Sequence, residues 1–432
     1  MFKFLPPLVL AFFLAGSGLA ADGNALEKYL QTPDATFAWT SAGRMKSGEF
    51  EVARVEMTSQ TWRSNVWTHH MLVVRPAQVR NPGMGFLFIT GDGDGSQYLG
   101  MLKSVAARGG SMAAVVTRVP NQPLYGGKKE DALIAYTFEE YLKSGDETWP
   151  LLFPMVKSAV RAMDAVQEFA KKEFERGPEK FVVSGASKRG WTTWLAGAAD
   201  PRVAAMAPMV IDMLNMKVQT QWAAKVYGKQ SEQIKDYSDH DLIDRMDAPP
   251  MIKLRGWVDP YSYRGRYNVP ILILLGTNDP YWTVDSLRHY WNELPEPKLI
   301  FQTPNAGHDL GGGQQATETL AVFFQMVADK QALPKESWKI SYTANGNAEI
   351  AARLDRPVVG WKLWTADSDV RDFRKQRWNS RTLEANGMDA KAMVEKPASG
   401  YRAFLIEAEL ASADGAHYKL STEARVVPDT QP

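Results

Sequence analysis

The sequence predicts an α/β domain with a mainly parallel sheet and a lid insertion, followed by a small C-terminal β-sandwich. In the middle of the chain, short apolar runs alternate with helical patterns, which is typical of β-α-β units. About sixty residues rich in Trp, Tyr, Met and charge interrupt this alternation, too many for a simple crossover helix. From residue 335 onward the pattern changes to alternating apolar and polar positions, which favours sandwich strands.

The length and composition fit one large domain with a smaller appendage. The chain has 432 residues, of which 45% are hydrophobic and 23% are charged. Its 50 Lys and Arg residues nearly balance 49 Asp and Glu residues, so no basic surface for nucleic acid is expected. The absence of cysteine excludes disulfides, thiolate metal sites and a cysteine nucleophile.

The first residues resemble a secretory leader. Lys3 precedes an apolar stretch, residues 4–15, and small residues follow it up to Ala20. This pattern is typical of a signal peptide cleaved after Ala20. The alternative is a membrane anchor, but the stretch is shorter than the roughly 20 residues that a span requires and contains two prolines. We therefore expect residues 1–20 to be a signal peptide, no stable membrane anchor, and a periplasmic or secreted product.

The remaining chain divides into a predicted α/β domain at residues 21–334 and a predicted sandwich at residues 335–432. A helix is predicted over residues 156–170, where apolar residues recur every three or four positions, and Gly177 and Pro178 are expected to end it. A lid is predicted at about residues 212–267. Strands are predicted at residues 85–90, 181–184, 203–211, 271–275, 298–302, 338–342, 348–354, 360–365 and 401–410.

A serine stands on a predicted strand-to-helix turn. Residues 185–190 read Gly-Ala-Ser-Lys-Arg-Gly, and small residues are needed where such a turn is crowded and exposes the serine. The usual pentapeptide has its second glycine two residues after the serine, where this chain has Arg189, and Gly190 follows it. A purely structural turn is the alternative for the motif alone. The motif predicts Ser187 as the nucleophile of an α/β-hydrolase.

The partners of a serine nucleophile follow in the expected order. A serine needs a base, and the base needs an acid that fixes its tautomer. Asp279 follows the predicted strand at residues 271–275, and His308 follows the strand at residues 298–302. Asp212, after the preceding strand, is the rival acid. The sequence therefore predicts Ser187, Asp279 and His308 as the catalytic residues.

Backbone N–H groups near the serine are predicted to form an oxyanion hole. One comes from the residue after the nucleophile, Lys188, and a second from the loop after an earlier strand, around Gly91 and Asp92. The other five of the six histidines have no metal-ligand spacing, and no metal or cofactor is predicted.

Aromatic residues of the lid, and of the loop that begins at Asp279 and is called the acid loop below, are candidates for substrate binding. Plain packing is the alternative, because large aromatic side chains dominate protein cores. The predicted pocket residues are Trp222, Trp257, Tyr281 and Trp282.

These motifs resemble the PhoPQ-activated pathogenicity-related proteins. The similarity lies in Trp-Thr-His-His at residues 67–70, the serine turn at residues 185–192, Asp-Pro-Tyr-Ser-Tyr at residues 259–263, and the loops at residues 276–279 and 304–308. It spans most of residues 25–335. The resemblance implies an α/β-hydrolase fold with a C-terminal sandwich.

The serine turn is also similar to that of glucuronoyl esterases, which implies ester chemistry. Those esterases have Arg directly after the serine, where this chain has Lys188. The acid loop reads Asp-Pro-Tyr-Trp from Asp279, where the PhoPQ-activated family more often has an acidic residue and two phenylalanines.

Two functions are expected from these observations. The first is an exported serine hydrolase that cleaves an ester or amide in a small-molecule, glycan or peptide substrate. The second is a non-catalytic binding or signalling protein on a hydrolase scaffold, because a fold does not fix a function. The sequence leaves the oligomeric state open.

Overall fold

The protein is described from a computed structural model covering residues 24–384 and 387–429. The predicted signal peptide at residues 1–20 lies outside the described residues. Within the described ranges, no helix is both long enough and apolar enough to cross a membrane.

The chain begins with helix α1 (Ala25–Gln31) and three antiparallel strands, β1 (Ala38–Ser47), β2 (Phe50–Trp62) and β3 (Asn65–Pro76). Arg63 and Ser64 join β2 to β3 with φ values of 47° and 64°. Two successive positive φ values are typical of the tight hairpin turn that matches the twist of the flanking strands.

Alternating strands and helices follow. Their bounds are β4 (Met84–Ile89), α2 (Leu99–Gly109), β5 (Met112–Val116), α3 (Glu130–Ser144), α4 (Leu152–Phe174), β6 (Lys180–Ala186), α5 (Lys188–Ala199) and β7 (Val203–Met209). The predicted helix at residues 156–170 is the centre of α4, which ends before Gly177 because Glu175 adopts a left-handed conformation. The apolar run at residues 203–211 is longer than β7, because Val210 has a φ of 43° that ends the strand.

Three helices lie between β7 and the next strand. They are α6 (Met216–Tyr227), α7 (Lys235–Asp239) and α8 (Pro249–Val258), and a 3-10 turn at Pro260–Arg266 follows them. The α/β part then continues with β8 (Ile271–Gly276), β9 (Lys298–Thr303) and α9 (Gln314–Ala328).

The first nine strands form one sheet in the order β1-β2-β3-β5-β4-β6-β7-β8-β9. The strands from β5 to β9 in this order are parallel, and β3 joins them antiparallel. In β4, Leu87 and Ile89 pack with α4 and α5, whereas Phe86 and Phe88 pack with α2 and α9. Helices therefore cover both faces, and the carboxyl ends of β6, β8 and β9 meet at one edge.

The C-terminal part consists of antiparallel strands, as predicted. One sheet has the order β10-β11-β14, and the other has the order β13-β12-β15-β16 with β17 paired to β15. The strand bounds are β10 (Glu336–Tyr342), β11 (Ala348–Leu354), β12 (Gly360–Ser368), β13 (Asn379–Thr382), β14 (Asp389–Val394), β15 (Tyr401–Ala411), β16 (His417–Ser421) and β17 (Arg425–Val427). Side chains of both sheets, such as Ile350 and Ile406, share a buried core.

Candidate active site

Ser187 occupies a strained turn between β6 and α5. Its backbone has φ 59° and ψ −126°, a conformation that costs a non-glycine residue energy. A Cβ at Gly190 would lie 2.7 Å from the carbonyl oxygen of Met209 in β7. The close approach of α5 to β7 therefore falls at Gly190, which explains why the second glycine of this turn comes one residue later than in the usual pentapeptide.

The three predicted catalytic side chains form a continuous chain of hydrogen bonds. His308 Nε2 lies 2.8 Å from Ser187 Oγ, and His308 Nδ1 lies 2.7 Å from Asp279 Oδ2. Asp279 is buried, and its Oδ1 accepts a hydrogen bond from the backbone N–H of Tyr281 at 2.9 Å. The structure thus brings a hydroxyl, an imidazole and a carboxylate together in the order that nucleophilic catalysis requires.

The acid loop is held against the loop of residues 304–308, called the histidine loop because it carries His308. The backbone N–H of Asn278 donates to the carbonyl oxygen of Ala306 at 2.9 Å. A Cβ on Gly276 would collide with the carbonyl oxygens of Ala306 and Gly307, so a side chain at Gly276 would push the two loops apart. The short strand-to-loop connections therefore fix the distance between Asp279 and His308.

The rival acid, Asp212, is placed differently. Its Oδ1 accepts a hydrogen bond from the Tyr290 hydroxyl at 2.7 Å. Burial raises the pKa of Asp212 to about 8, and the Asp279 carboxylate adds to this shift. A carboxyl group that holds its proton at neutral pH does not stabilise a histidine cation. The geometry favours Asp279.

The predicted oxyanion donors lie around the serine turn. Lys188 is the first residue of α5, and the first N–H groups of a helix have no partner within it. Gly91 lies two residues after the end of β4, and a Cβ there would lie 2.5 Å from an Arg189 guanidinium nitrogen, so a side chain at this position would displace that guanidinium. The Asp92 side chain is exposed and pairs with Lys129 Nζ at 3.4 Å. The assignment of Gly91 or Asp92 as second donor stays a prediction.

A polar cluster that the sequence did not reveal surrounds the serine turn. Asp131, at the start of α3, lies 2.8 Å from Lys188 Nζ and accepts hydrogen bonds from the hydroxyls of Tyr237 at 2.9 Å and Tyr281 at 3.3 Å. Burial lowers the pKa of Lys188, but the Asp131 carboxylate outweighs it and holds the pKa above the usual lysine value. Lys188 is therefore a charged residue whose charge is neutralised locally.

Arg189 makes a second ion pair next to this cluster. Its two terminal nitrogens bind both oxygens of Glu130 at 2.6 and 2.7 Å, and its Nε donates to the carbonyl oxygen of Val119. Burial raises the pKa of Glu130, but the Arg189 guanidinium outweighs it and brings the pKa to about 2. Acidic residues in the first turn of a helix are common, so Glu130 and Asp131 carry no signal in the sequence.

A cavity of about 100 Å³ opens beside Ser187, beneath the helices α6–α8. Tyr281 and Trp282 line it, as do Lys188 and Trp191. The Tyr281 ring also stacks on His308, with ring centroids 4.4 Å apart. The structure thus places two of the four predicted pocket aromatics at the cavity next to the serine.

The other two predicted pocket aromatics lie elsewhere. The Nε1 of Trp222 donates to Asp285 at 3.0 Å, and the Arg371 guanidinium of the C-terminal part lies 5.1 Å from its ring centroid. Trp257 packs against Tyr141 with ring centroids 5.2 Å apart. Both belong to helices over the site, but a helix turns only one face toward a cavity, and these residues occupy other faces.

The five remaining histidines lie outside this site. His69 is buried and hydrogen-bonded to Ser59 and to the Thr117 carbonyl, and His289 packs against Trp222. The other three, His70, His240 and His417, pair with glutamates. Across residues 24–384 and 387–429, no group of three or more His, Asp or Glu side chains could hold a metal ion.

Comparison with known proteins agrees with this architecture. A solved structure, acetyl xylan esterase 1 from Thermoanaerobacterium sp. JW/SL YS485, matches with a TM-score of 0.50 and 15% sequence identity. The match covers 70% of this chain and 92% of that chain. At this level of identity the similarity shows the fold alone, which is that of the α/β-hydrolases.

Comparison by sequence finds a relative with higher identity over more of the chain. Autocrine proliferation repressor protein A from Dictyostelium discoideum is 32% identical over 451 aligned residues, which cover 94% of this chain and 91% of the relative. The family model of the PhoPQ-activated pathogenicity-related proteins matches residues 26–374, which include every residue of the site described above. This chain therefore belongs to the family of PhoPQ-activated pathogenicity-related proteins.

Proposed function

We propose that the protein is a serine hydrolase that cleaves a carboxylic ester or amide through an acyl-enzyme. The observation that carries this proposal is the hydrogen-bond chain from Ser187 through His308 to Asp279, with distances of 2.8 and 2.7 Å. This arrangement supports nucleophilic catalysis. It combines a serine at a strained turn, a base within reach of the serine hydroxyl, and a buried carboxylate behind the base.

In the proposed reaction, Ser187 Oγ attacks the carbonyl carbon while its proton passes to His308 Nε2. Asp279 holds the imidazole in the tautomer that accepts this proton and stabilises the resulting cation. The N–H of Lys188 and one from Gly91 or Asp92 bind the oxyanion. His308 then gives its proton to the leaving group, and a water activated by His308 releases the acyl group from Ser187.

Ester cleavage is the first activity to test. The serine turn is similar to that of glucuronoyl esterases, and the solved structure that shares the fold is named an acetyl xylan esterase. Both are esterases. Candidate substrates are esters of small molecules or glycans, with peptides as the amide alternative.

A serine-directed fluorophosphonate tests the nucleophile. We expect the purified protein to be labelled at Ser187, and the Ser187→Ala variant to lose both labelling and ester hydrolysis while its circular dichroism is unchanged. Ser399→Ala, at an exposed serine of the C-terminal part, is the matched control and should be labelled like the wild type. Undiminished labelling of Ser187→Ala would exclude this nucleophile.

We further propose that residues 212–267 act as a lid over Ser187, within an α/β domain at residues 21–334 that precedes a C-terminal domain at residues 335–432. The helices α6–α8 support this role because side chains from all three line the cavity beside Ser187.

We also propose that the protein is exported, which the leader pattern at residues 1–20 supports. A periplasmic or secreted protein whose mass corresponds to an N-terminus at Ala21 would support it, and an uncleaved intracellular chain would contradict it.

A second candidate function is non-catalytic signalling on the same scaffold. The name of the Dictyostelium relative, an autocrine proliferation repressor, favours it. The two candidates differ in what they require of Ser187. If the wild-type protein and the Ser187→Ala variant slow cell proliferation equally when added to cells, signalling does not depend on hydrolysis. If only the wild type has an effect, the hydrolase activity carries the function.

A further inference from the structure

The cavity beside Ser187 has a flexible apolar wall. Four methionines line it, Met213 after β7, Met216 in α6, Met246 before α8 and Met251 in α8. Unbranched thioether side chains fill irregular space and adapt to different apolar ligands. A cluster of four in one wall is therefore suited to a flexible hydrocarbon group.

The charged groups nearest Ser187 at this cavity, Lys188 and Asp131, are already paired, while Arg255 of α8 donates from a terminal nitrogen to the carbonyl oxygen of Met246 at 3.0 Å. Lys188 and Asp131 lie 2.8 Å apart, and the hydroxyls of Tyr237 and Tyr281 also bind Asp131. A charged or strongly polar ligand would have to break these contacts, whereas an apolar ligand leaves them intact. The ion pair beside Ser187 and the methionine wall thus both favour an apolar ligand.

The position of His308 shows which half of an ester the cavity holds. During ester cleavage the leaving alcohol must lie at His308 Nε2, since it receives its proton there, while the acyl group stays bonded to Ser187. Ser187 lines the cavity, and the His308 imidazole stacks on the ring of Tyr281, which forms part of the cavity wall. Tyr281 therefore lies between the cavity and His308. The cavity is therefore on the acyl side of the serine.

We propose that this cavity binds the acyl group of the substrate and selects an apolar acyl chain longer than acetyl. This inference rests on the proposed hydrolase function and adds the substrate class to it. Two of the four methionines, Met216 and Met251, lie in lid helices, and all four lie within residues 212–267, so the lid supplies the chain-length preference.

A series of 4-nitrophenyl esters tests the inference, since the alcohol stays constant from acetate through butyrate and hexanoate to octanoate. We expect kcat/KM to rise roughly tenfold for each pair of added methylenes, at least to hexanoate, because each buried methylene adds transition-state binding. Ser187-dependent hydrolysis with acetate as the best substrate, or with no dependence on chain length, would overturn the acyl-pocket inference alone. Failure to hydrolyse or label at Ser187 would overturn the proposed function and this inference together.

Substitutions in the wall locate the effect. Met216→Phe and Met246→Phe shorten the cavity, and we expect each to lower the ratio of octanoate to acetate kcat/KM by tenfold or more. Met45→Phe, at a methionine of β1 that is 59% exposed, is the control and should keep the wild-type ratio. Thermal unfolding of each variant shows whether it folds. A folded Met216→Phe and a folded Met246→Phe that both keep the wild-type ratio would show that the acyl group binds elsewhere.

Discussion

Asp212 and Asp279 follow neighbouring strands of the sheet, and only Asp279 contacts His308. We expect Asp279→Asn to lower kcat by about 10⁴, because the imidazole then takes the wrong tautomer. Asp212→Asn should retain kcat within roughly tenfold, since its partner is the Tyr290 hydroxyl. Steady-state kinetics on both variants check this. The two roles would have to be exchanged if Asp212→Asn lost activity and Asp279→Asn kept it.

Asp212 should also influence how stability depends on pH. Burial raises its folded-state pKa to about 8, with added effects from Asp279, Asp285 and Glu423, whereas an unfolded aspartate titrates at about 4. Between these values the folded protein holds a proton that the unfolded chain releases, so this residue lowers the unfolding free energy as pH rises.

The slope from one such proton is about 1.4 kcal/mol per pH unit. We expect Asp212→Asn, which cannot ionise, to lose this decrease and to gain stability over wild type from pH 5 to pH 8. Urea unfolding of both proteins at several pH values measures the difference. A difference that does not change with pH would contradict the raised pKa.

At the scale of elements, helix α7 is connected to the active-site loops by a single carboxylate. Asp131 binds the hydroxyl of Tyr237 in α7 and that of Tyr281 in the acid loop. Burial, and next the Asp131 carboxylate, raise the pKa of Tyr237 well above its usual value, so its hydroxyl keeps the proton that it donates. This carboxylate therefore ties helix α7 to the acid loop beside the serine turn.

We expect Tyr237→Phe to speed amide hydrogen exchange in α7 by roughly 10- to 150-fold, because a hydrogen bond to a charged group contributes about 1.5–3 kcal/mol. Exchange in β6 and β8 should not change. Tyr261→Phe is the control, since it removes a hydroxyl that binds Glu293 elsewhere in the same segment. Equal effects of the two variants on α7 would show that Asp131 does not hold this helix.

The elements that were predictable from sequence are those whose burial leaves a local pattern. Strands such as β4 and β8 are covered on both faces and appear as continuous apolar runs, and the loops that carry Asp279 and His308 follow directly from such runs. Asp131 had no such signal, because its contacts with Lys188 and Tyr281 join distant parts of the chain. The orientation of Trp222 was equally hidden, since composition does not tell which helix face meets the cavity.

Across the whole molecule, the C-terminal part holds both loops of the active site. Asn278 Nδ2, next to Asp279, donates to the carbonyl oxygen of Gln376 at 2.7 Å. Asn305, in the histidine loop, exchanges two hydrogen bonds with the backbone of Trp378 at 2.8 and 3.0 Å. The C-terminal part therefore contributes to the position of Asp279 and His308.

The same region is anchored by an ion pair between Arg371 and Asp285, 2.6 Å apart and each 1% exposed. We expect Arg371→Ala to lower the unfolding free energy by about 3–5 kcal/mol, because it leaves the buried Asp285 carboxylate without its main partner. The exposed pair of Arg402 with Asp367 is the control, and Arg402→Ala should lower the unfolding free energy by less than about 1 kcal/mol.

Because residues 371–378 hold both catalytic loops, esterase activity and circular dichroism should disappear at the same temperature in the Arg371→Ala variant. Separate transitions would show that the α/β part keeps its active site without this anchor.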